Sequence, residues 1–248
     1  MTRPADVADL IRARRAGRTP FLVGITGAVA AGKSTLAGEL AAALAASALS
    51  VEIVATDGFL MDNAALTALG LLNRKGFPES YDVAAMRAAL AAIRAGPADF
   101  PGYSHTIYDI DPALTRRLAP PDVLIVEGLS LHAGAKALGL DLLIYLDADE
   151  ADLERWFAER FVALWRAAEH DPTSFYARFR PLTEPQTRDV AQQVWRAINL
   201  PNLREHIVGA KGVADIVIRK GADHQIVSLA PPQSGERSAA GGERGLGA

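Results

Sequence analysis

Eight consecutive residues, Gly27-Ala28-Val29-Ala30-Ala31-Gly32-Lys33-Ser34, have the spacing G-x-x-x-x-G-K-[ST], which cradles nucleotide phosphates. Backbone N–H groups of such a loop, and the positive end of the helix after it, bind phosphate oxygens; Lys33 would reach the β and γ phosphates and the Ser34 hydroxyl would ligate Mg²⁺. The plainer alternative is a glycine-rich turn capping a helix. The metal needs a further acid, and Glu127 closes the apolar run Val123-Leu124-Ile125-Val126. That puts its carboxylate at the carboxyl edge of a sheet, where ligands of open α/β sheets bind; a strand-end acid capping the next loop is the competing reading.

A kinase also needs a group to take the proton of the attacking hydroxyl. Asp57 follows the apolar segment 51–56 and would lie at the same edge. A turn aspartate in Asp57-Gly58 fits equally well. Arg160 lies three residues after Phe157 and four before Leu164, so a guanidinium shares a helix face with apolar side chains. That is costly unless the charge finds solvent, a structural carboxylate or a substrate anion. Tyr103-Ser104-His105 and Tyr108 group polar aromatic side chains where a small substrate could be held. His105 would be equally at home as a buried, hydrogen-bonded loop residue.

Elements must bring these groups together. Short apolar, β-branched segments alternate with longer Ala/Leu/Arg segments of helical period, which predicts an α/β domain with a mostly parallel sheet and helices on both faces. Strands are expected near 21–25, 51–56, 123–127, 142–146 and 213–219, and helices over 33–46, 83–94, 149–168 and 184–197. In the long helix Leu153, Trp156, Phe157, Phe161, Leu164 and Trp165 recur at spacings of three and four. Segments 70–82 and 97–121, rich in Gly, Pro, Tyr and charge, read as working loops beside the sheet. Residues 1–20 are expected as a helical lead-in, 21–230 as one P-loop domain, and 231–248 as a disordered tail with almost nothing to bury.

Composition narrows the classes. The 248 residues carry 26 Lys+Arg against 29 Asp+Glu, a formal net charge of −3. Nucleic-acid backbone and anionic membranes both call for a sizeable positive surplus, so neither is expected as a partner, and phosphate recognition must be local. Without cysteine there is no disulfide, thiolate zinc site or thiol nucleophile. The first twenty residues hold five arginines and no apolar run of signal-peptide length, and no stretch approaches a membrane span, which predicts a cytoplasmic protein.

From about residue 21 to 228 the sequence resembles the bacterial type I pantothenate kinases, relatives of uridine kinase and phosphoribulokinase with a P-loop NTPase fold. The resemblance rests on Gly24-Ile25-Thr26-Gly27 leading into Gly32-Lys33-Ser34-Thr35, and on Thr56-Asp57-Gly58-Phe59-Leu60. Further matches are Arg74-Lys75-Gly76-Phe77-Pro78-Glu79-Ser80-Tyr81-Asp82, Tyr103-Ser104-His105 with Tyr108-Asp109, Glu127-Gly128-Leu129 and Asp147-Ala148-Asp149-Glu150. Ile198-Asn199-Leu200-Pro201-Asn202-Leu203 and Lys220-Gly221-Ala222-Asp223-His224 complete it. The resemblance implies ATP-dependent phosphorylation of pantothenate to 4′-phosphopantothenate, which opens coenzyme A synthesis, by a homodimer inhibited by coenzyme A in competition with ATP.

It further implies roles for particular residues. Gly27, Ala28, Val29, Ala30, Ala31, Gly32, Lys33, Ser34 and Thr35 would hold ATP, and His224 would lie beside the adenine. Asp57 would be the base, Lys33 and Arg160 would stabilise the transferring phosphoryl group, and Ser34 and Glu127 would serve Mg²⁺. Tyr103, His105, Tyr108, Phe157, Arg160 and Asn199, with Asp57, would line the pantothenate pocket. The sequence departs from the family at Gly38, where a coenzyme A-associated arginine is expected, and at Phe157, where a tyrosine is expected. Leu164 and Glu169 replace two aromatic residues of the thiol patch while Phe161 remains, and only some twenty residues precede the first strand. Retained catalysis, weakened inhibition by coenzyme A and a drifted acceptor preference are the expectations. The competing functions are a P-loop kinase of another small hydroxyl compound, such as a nucleoside, glycerate or sugar, and a nucleotide-binding regulator without turnover.

Overall fold

Strands buried on both faces have no polar side to show, so they read as continuous apolar runs. The sequence of β1 (Phe21–Gly27), FLVGITG, is such a run, and every residue of it is buried. The other strands are β2 (Val51–Ala55), β3 (Ala98–Ser104), β4 (Asp109–Leu118), β5 (Val123–Glu127), β6 (Leu142–Asp147), β7 (Ile216–Lys220) and β8 (Ile226–Ala230). The helices of at least one turn up to residue 194 are α1 (Pro4–Arg15), α2 (Lys33–Ala45), α3 (Asn63–Ala68), α4 (Val83–Ala95), α5 (Ala135–Leu138), α6 (Glu150–Ala167) and α7 (Glu184–Val194). This computed structural model describes residues 3–129, 131 and 135–231. Of the tail expected over 231–248, all but Pro231 lies outside the described residues.

Six strands form one sheet in the order β2-β5-β1-β6-β7-β8, parallel except for β8, which runs antiparallel to β7. This is the P-loop NTPase fold. Ile25 of β1 and Ala55 of β2 both stand opposite Glu127 of β5. The ends of these three strands are therefore level, and whatever follows them opens onto one edge. Leu22, Val23 and Ile25 of β1 and Leu36, Leu40 and Leu44 of α2 belong to the main core. Each such side chain contributes roughly 1.5–3 kcal/mol relative to exposure, which fixes the edge on a rigid base. Helix α1 buries Val7, Ala8 and Ile11, and its Arg15 guanidinium donates to the Asp122 carboxylate at 2.5 Å.

Three expectations need correction. Residues 97–121 form the antiparallel hairpin β3–β4, with a register irregularity between Phe100 and Gly102, rather than a loop. Much of β4 is exposed, so no alternating apolar pattern marks it. The helix expected over 184–197 ends as an α-helix at Val194 and widens into π turns at Trp195–Asn199 and Leu203–Ile207. The strand expected from residue 213 begins at Ile216, and the short edge strand β8 was not foreseen.

Candidate active site

The phosphate loop connects β1 directly to α2. Gly32, at φ 87°, adopts the left-handed conformation that glycine tolerates at no steric cost, and it turns the chain into the first turn of α2. Lys33 folds back across the loop, its Nζ donating to the carbonyls of Ala28 at 2.9 Å and Gly27 at 3.2 Å. Burial pushes the Lys33 pKa down, while the Glu127 and Asp57 carboxylates oppose the shift and Arg160 adds to it. Four charged groups from β5, the end of β2, α2 and α6 thus act on one another at the level strand ends.

The Ser34 hydroxyl donates to Oε1 of Glu127 at 2.8 Å. Mg²⁺ takes oxygen ligands, keeps several waters and is commonly held by one or two protein groups plus substrate phosphates. A hydroxyl and a carboxylate already in contact fit that demand. Among the described residues no group of three or more carboxylates or imidazoles converges.

Asp57 follows β2 in a short 3₁₀ turn (Thr56–Phe59). The next residue, Gly58, is required by close approach: a Cβ there would lie 2.0 Å from the Pro101 carbonyl oxygen of β3. The hairpin therefore packs directly against the turn that carries the acid. Asp57, Lys33, Ser34, Glu127, Tyr103, His105, Tyr108, Phe157, Arg160, Asn199 and His224 all line a single cavity of about 1290 Å³, together with Val29, Ala30, Gly32 and Thr35. Gly27, Ala28 and Ala31 do not line it; Ala28 and Ala31 pack into the core beneath the loop.

The hairpin wall is aromatic. Tyr103 meets His105 and Tyr108 edge-on at 5.2 and 6.1 Å, and Tyr108 stacks on Phe175 at 4.4 Å. Burial raises the Tyr108 hydroxyl to about 12 and pushes the Tyr103 hydroxyl up as well. Both are neutral donors at physiological pH. Burial lowers the His105 pKa against the pull of the Asp57 charge. Asn199, also at the cavity, has a buried Nδ2 with no partner among the described residues. Phe157 packs between Phe161 and Trp195 at 6.1 and 5.9 Å.

Arg160 opens into the cavity beside Phe157 and Phe161. Of the departures noted in the sequence, Leu164 lines the cavity, whereas Glu169 lies outside it and faces Arg180 at 3.5 Å. Gly38 is exposed on α2 with open space around it. At the opposite end from the hairpin, His224 stacks on Trp156 at 4.0 Å and 25°.

Sequence reasoning named no role for several residues that the fold brings here. The Tyr81 hydroxyl donates to Oδ1 of Asp57 at 3.4 Å. Lys75, 9% exposed, donates to Asn63 Oδ1 at 2.6 Å and to the Tyr108 carbonyl at 2.7 Å. Asn202 donates to the Gly76 carbonyl at 2.9 Å, and Lys220 lies against the phosphate loop. The signal for Tyr81 and Lys75 was the polar density of 74–82 around Gly76; Lys220 was marked only as part of the matching segment 220–224, and its contact with the loop is remote in sequence.

Comparison with known proteins agrees with this geometry. The sequence model of the phosphoribulokinase/uridine kinase family matches residues 22–157. The chain is 44% identical over 231 residues to a pantothenate kinase of Sorangium cellulosum, covering 89% of this chain and 75% of that one. It is 41% identical over 228 residues to one of Xanthobacter autotrophicus, covering 86% and 71%. The chain belongs to the phosphoribulokinase/uridine kinase family, alongside the pantothenate kinases. Among solved structures it is similar to a kinase from a Silicibacter species named for fructose transport, with 27% identity, a TM-score of 0.69, and coverage of 86% and 96%. A D-glycerate 3-kinase of Cryptococcus neoformans, 16% identical with a TM-score of 0.68 and coverage of 93% and 99%, shares the fold.

Family membership makes ATP the co-substrate. The cavity extends from Asp57 and the hairpin on one side of the loop to Trp156 and His224 on the other.

Proposed function

We infer that the protein transfers the γ-phosphoryl group of ATP to the primary hydroxyl of pantothenate, giving 4′-phosphopantothenate for coenzyme A synthesis. The observation that carries this reading is that the phosphate loop and Asp57 open into the same cavity, opposite a wall of neutral polar aromatic side chains. Relatives above 40% identity over most of the chain are named pantothenate kinase.

In this mechanism Asp57 accepts the proton of the pantothenate hydroxyl as its oxygen attacks in line, and the Tyr81 hydroxyl orients the carboxylate. Lys33 leaves the loop carbonyls to meet phosphate oxygens, and Arg160 offers its fork to the transferring group. Tyr103, Tyr108, His105 and Asn199 supply hydrogen bonds along the acceptor, with Phe157 as an apolar face. Ser34 and Glu127 would hold Mg²⁺, which would supply positive charge to offset that of the phosphates. Coenzyme A is expected to compete poorly with ATP, because Gly38 offers no cation; strong competitive inhibition would contradict this. No described helix is long and apolar enough to cross a membrane. The same relationship supports a cytoplasmic homodimer, checked by light scattering.

The test is ADP release by purified protein with ATP, Mg²⁺ and a panel of pantothenate, nucleosides, glycerate and hexoses. Pantothenate should give the highest kcat/KM. Phosphorylation of another alcohol with no turnover of pantothenate would favour the rival acceptor, for which the missing hydroxyl of Phe157 is the specific motive.

A further inference from the structure

Lys220 ends β7 with its side chain beneath the phosphate loop. It is 9% exposed, and its Nζ donates to the Ala31 carbonyl at 3.3 Å. A Cβ built on Gly32 would lie 2.7 Å from the same nitrogen. The ammonium stands 5.8 Å from the Trp156 ring centroid. An ammonium carries three donors, and a single long bond to a carbonyl leaves it poorly satisfied.

Of the other cations lining the cavity, Lys33 and Arg160 also lack an ion pair among the described residues and already face the transferring group in the proposed mechanism, whereas the remaining buried or neighbouring cations are paired. Lys75 is buried to the same degree but has two short hydrogen bonds and the Asp109 carboxylate at 3.7 Å. Arg219, its neighbour in β7, and Lys211 both reach Asp147. Among the described residues Lys220 makes no ion pair, and the carboxylate whose field reaches it is Glu39 on α2. A buried charge without a counter-ion is costly, so the arrangement calls for an anion from outside the chain.

The sheet order says which anion. From β1, which feeds the loop, β2 and Asp57 lie two strands away on one side, and β7 with Lys220 two strands away on the other. Lys220 therefore approaches the loop from the side of Trp156 and His224, away from the acceptor. We propose that Lys220 is a second phosphate-binding lysine, whose ammonium binds an oxygen of the nucleotide's polyphosphate chain on the nucleoside side of the loop. The proposal rests on the loop as nucleotide seat and is independent of which alcohol is phosphorylated. Placed away from the transferring group, Lys220 acts in binding rather than in the chemical step, so its loss should raise the KM for ATP and leave kcat nearly unchanged.

The experiment measures binding of ADP, tripolyphosphate and adenosine to the full chain without acceptor, comparing the parent with Lys220→Met and Lys220→Gln. Circular dichroism and thermal melts check that each variant folds. ADP and tripolyphosphate should bind about tenfold more weakly to both variants, the loss of one charge-assisted contact, while adenosine binding is unchanged. Unchanged ADP affinity in a folded variant would overturn the proposal. So would an equal loss for adenosine, which would make Lys220 a prop for the Trp156–His224 wall.

Discussion

A carboxylate that must take a proton is best held loosely. Among the described residues the only side chain bonded to Asp57 is Tyr81, at 3.4 Å, whereas Glu127 is engaged by Ser34 at 2.8 Å. Asp57 follows β2 and Glu127 ends the neighbouring β5, yet one is lightly held, as the proposed base requires, and the other is tied to the Ser34 hydroxyl, as the proposed Mg²⁺ site requires. Phe157 is a third residue with a specific consequence: half-buried at the cavity wall, it presents a ring without a donor. Phe157→Tyr adds one hydrogen-bonding group where a polar acceptor would lie. It should lower the KM for pantothenate by about threefold to tenfold with little change in kcat, the range expected of one net hydrogen bond. A KM that stays the same or rises in steady-state kinetics would show that the acceptor does not reach this ring.

Among the elements, the hairpin matters most to the acceptor because its tip carries Tyr103, His105 and Tyr108. Lys75 holds that tip from beneath, bonded to the Tyr108 carbonyl and flanked by the rings of Tyr103 and Tyr108 at 5.0 and 4.8 Å. Lys75→Met should therefore raise the KM for pantothenate about tenfold or more while leaving the KM for ATP within about twofold, and lower stability by about 1–3 kcal/mol. Equal losses for both substrates would place the effect in global folding instead. The contrast with the sheet explains what was legible in the sequence. Strands β1, β5 and β6 and the acid ending β5 were readable because burial on both faces demands unbroken apolar runs, and the edge strand β2 with the acid after it was readable from its short β-branched segment. The hairpin was not, because an exposed β4 answers to its partner strand and not to a core. Lys220, Tyr81 and Asn202 escaped because their partners come from segments far apart in the chain, so no local spacing encodes the contact. The π turns around Asn199 likewise follow α7 without any break in helical period.

At the scale of the molecule, the protein concentrates buried positive charge at one sheet edge while its formal net charge is −3. Burial lowers the pKa of Lys33, Lys75 and Lys220 below the ordinary 10.5. In the window between the lowered folded value and 10.5 the unfolded chain binds more protons, so stability rises with pH there. Below the folded value both states are charged and the cost of burial is constant. For Lys220, which faces Glu39 and His224, the nucleotide-free protein should accordingly be less stable than Lys220→Met at neutral pH, with the gap narrowing toward pH 10.5. Thermal melts across that range check it, and a gap that widens with pH would contradict the burial argument. Bound polyphosphate should reverse the order, because it supplies the missing anion.

The central claim is that Asp57 takes the hydroxyl proton from an alcohol seated between it and the nucleotide. Rapid-quench single turnover of Asp57→Asn with saturating ATP, Mg²⁺ and pantothenate tests it most directly, with ATP affinity measured in parallel. Phosphoryl transfer should slow about a hundredfold or more while ATP binds as before. Transfer at the parent's rate would remove Asp57 from the chemistry and, with it, the assignment of the acceptor side.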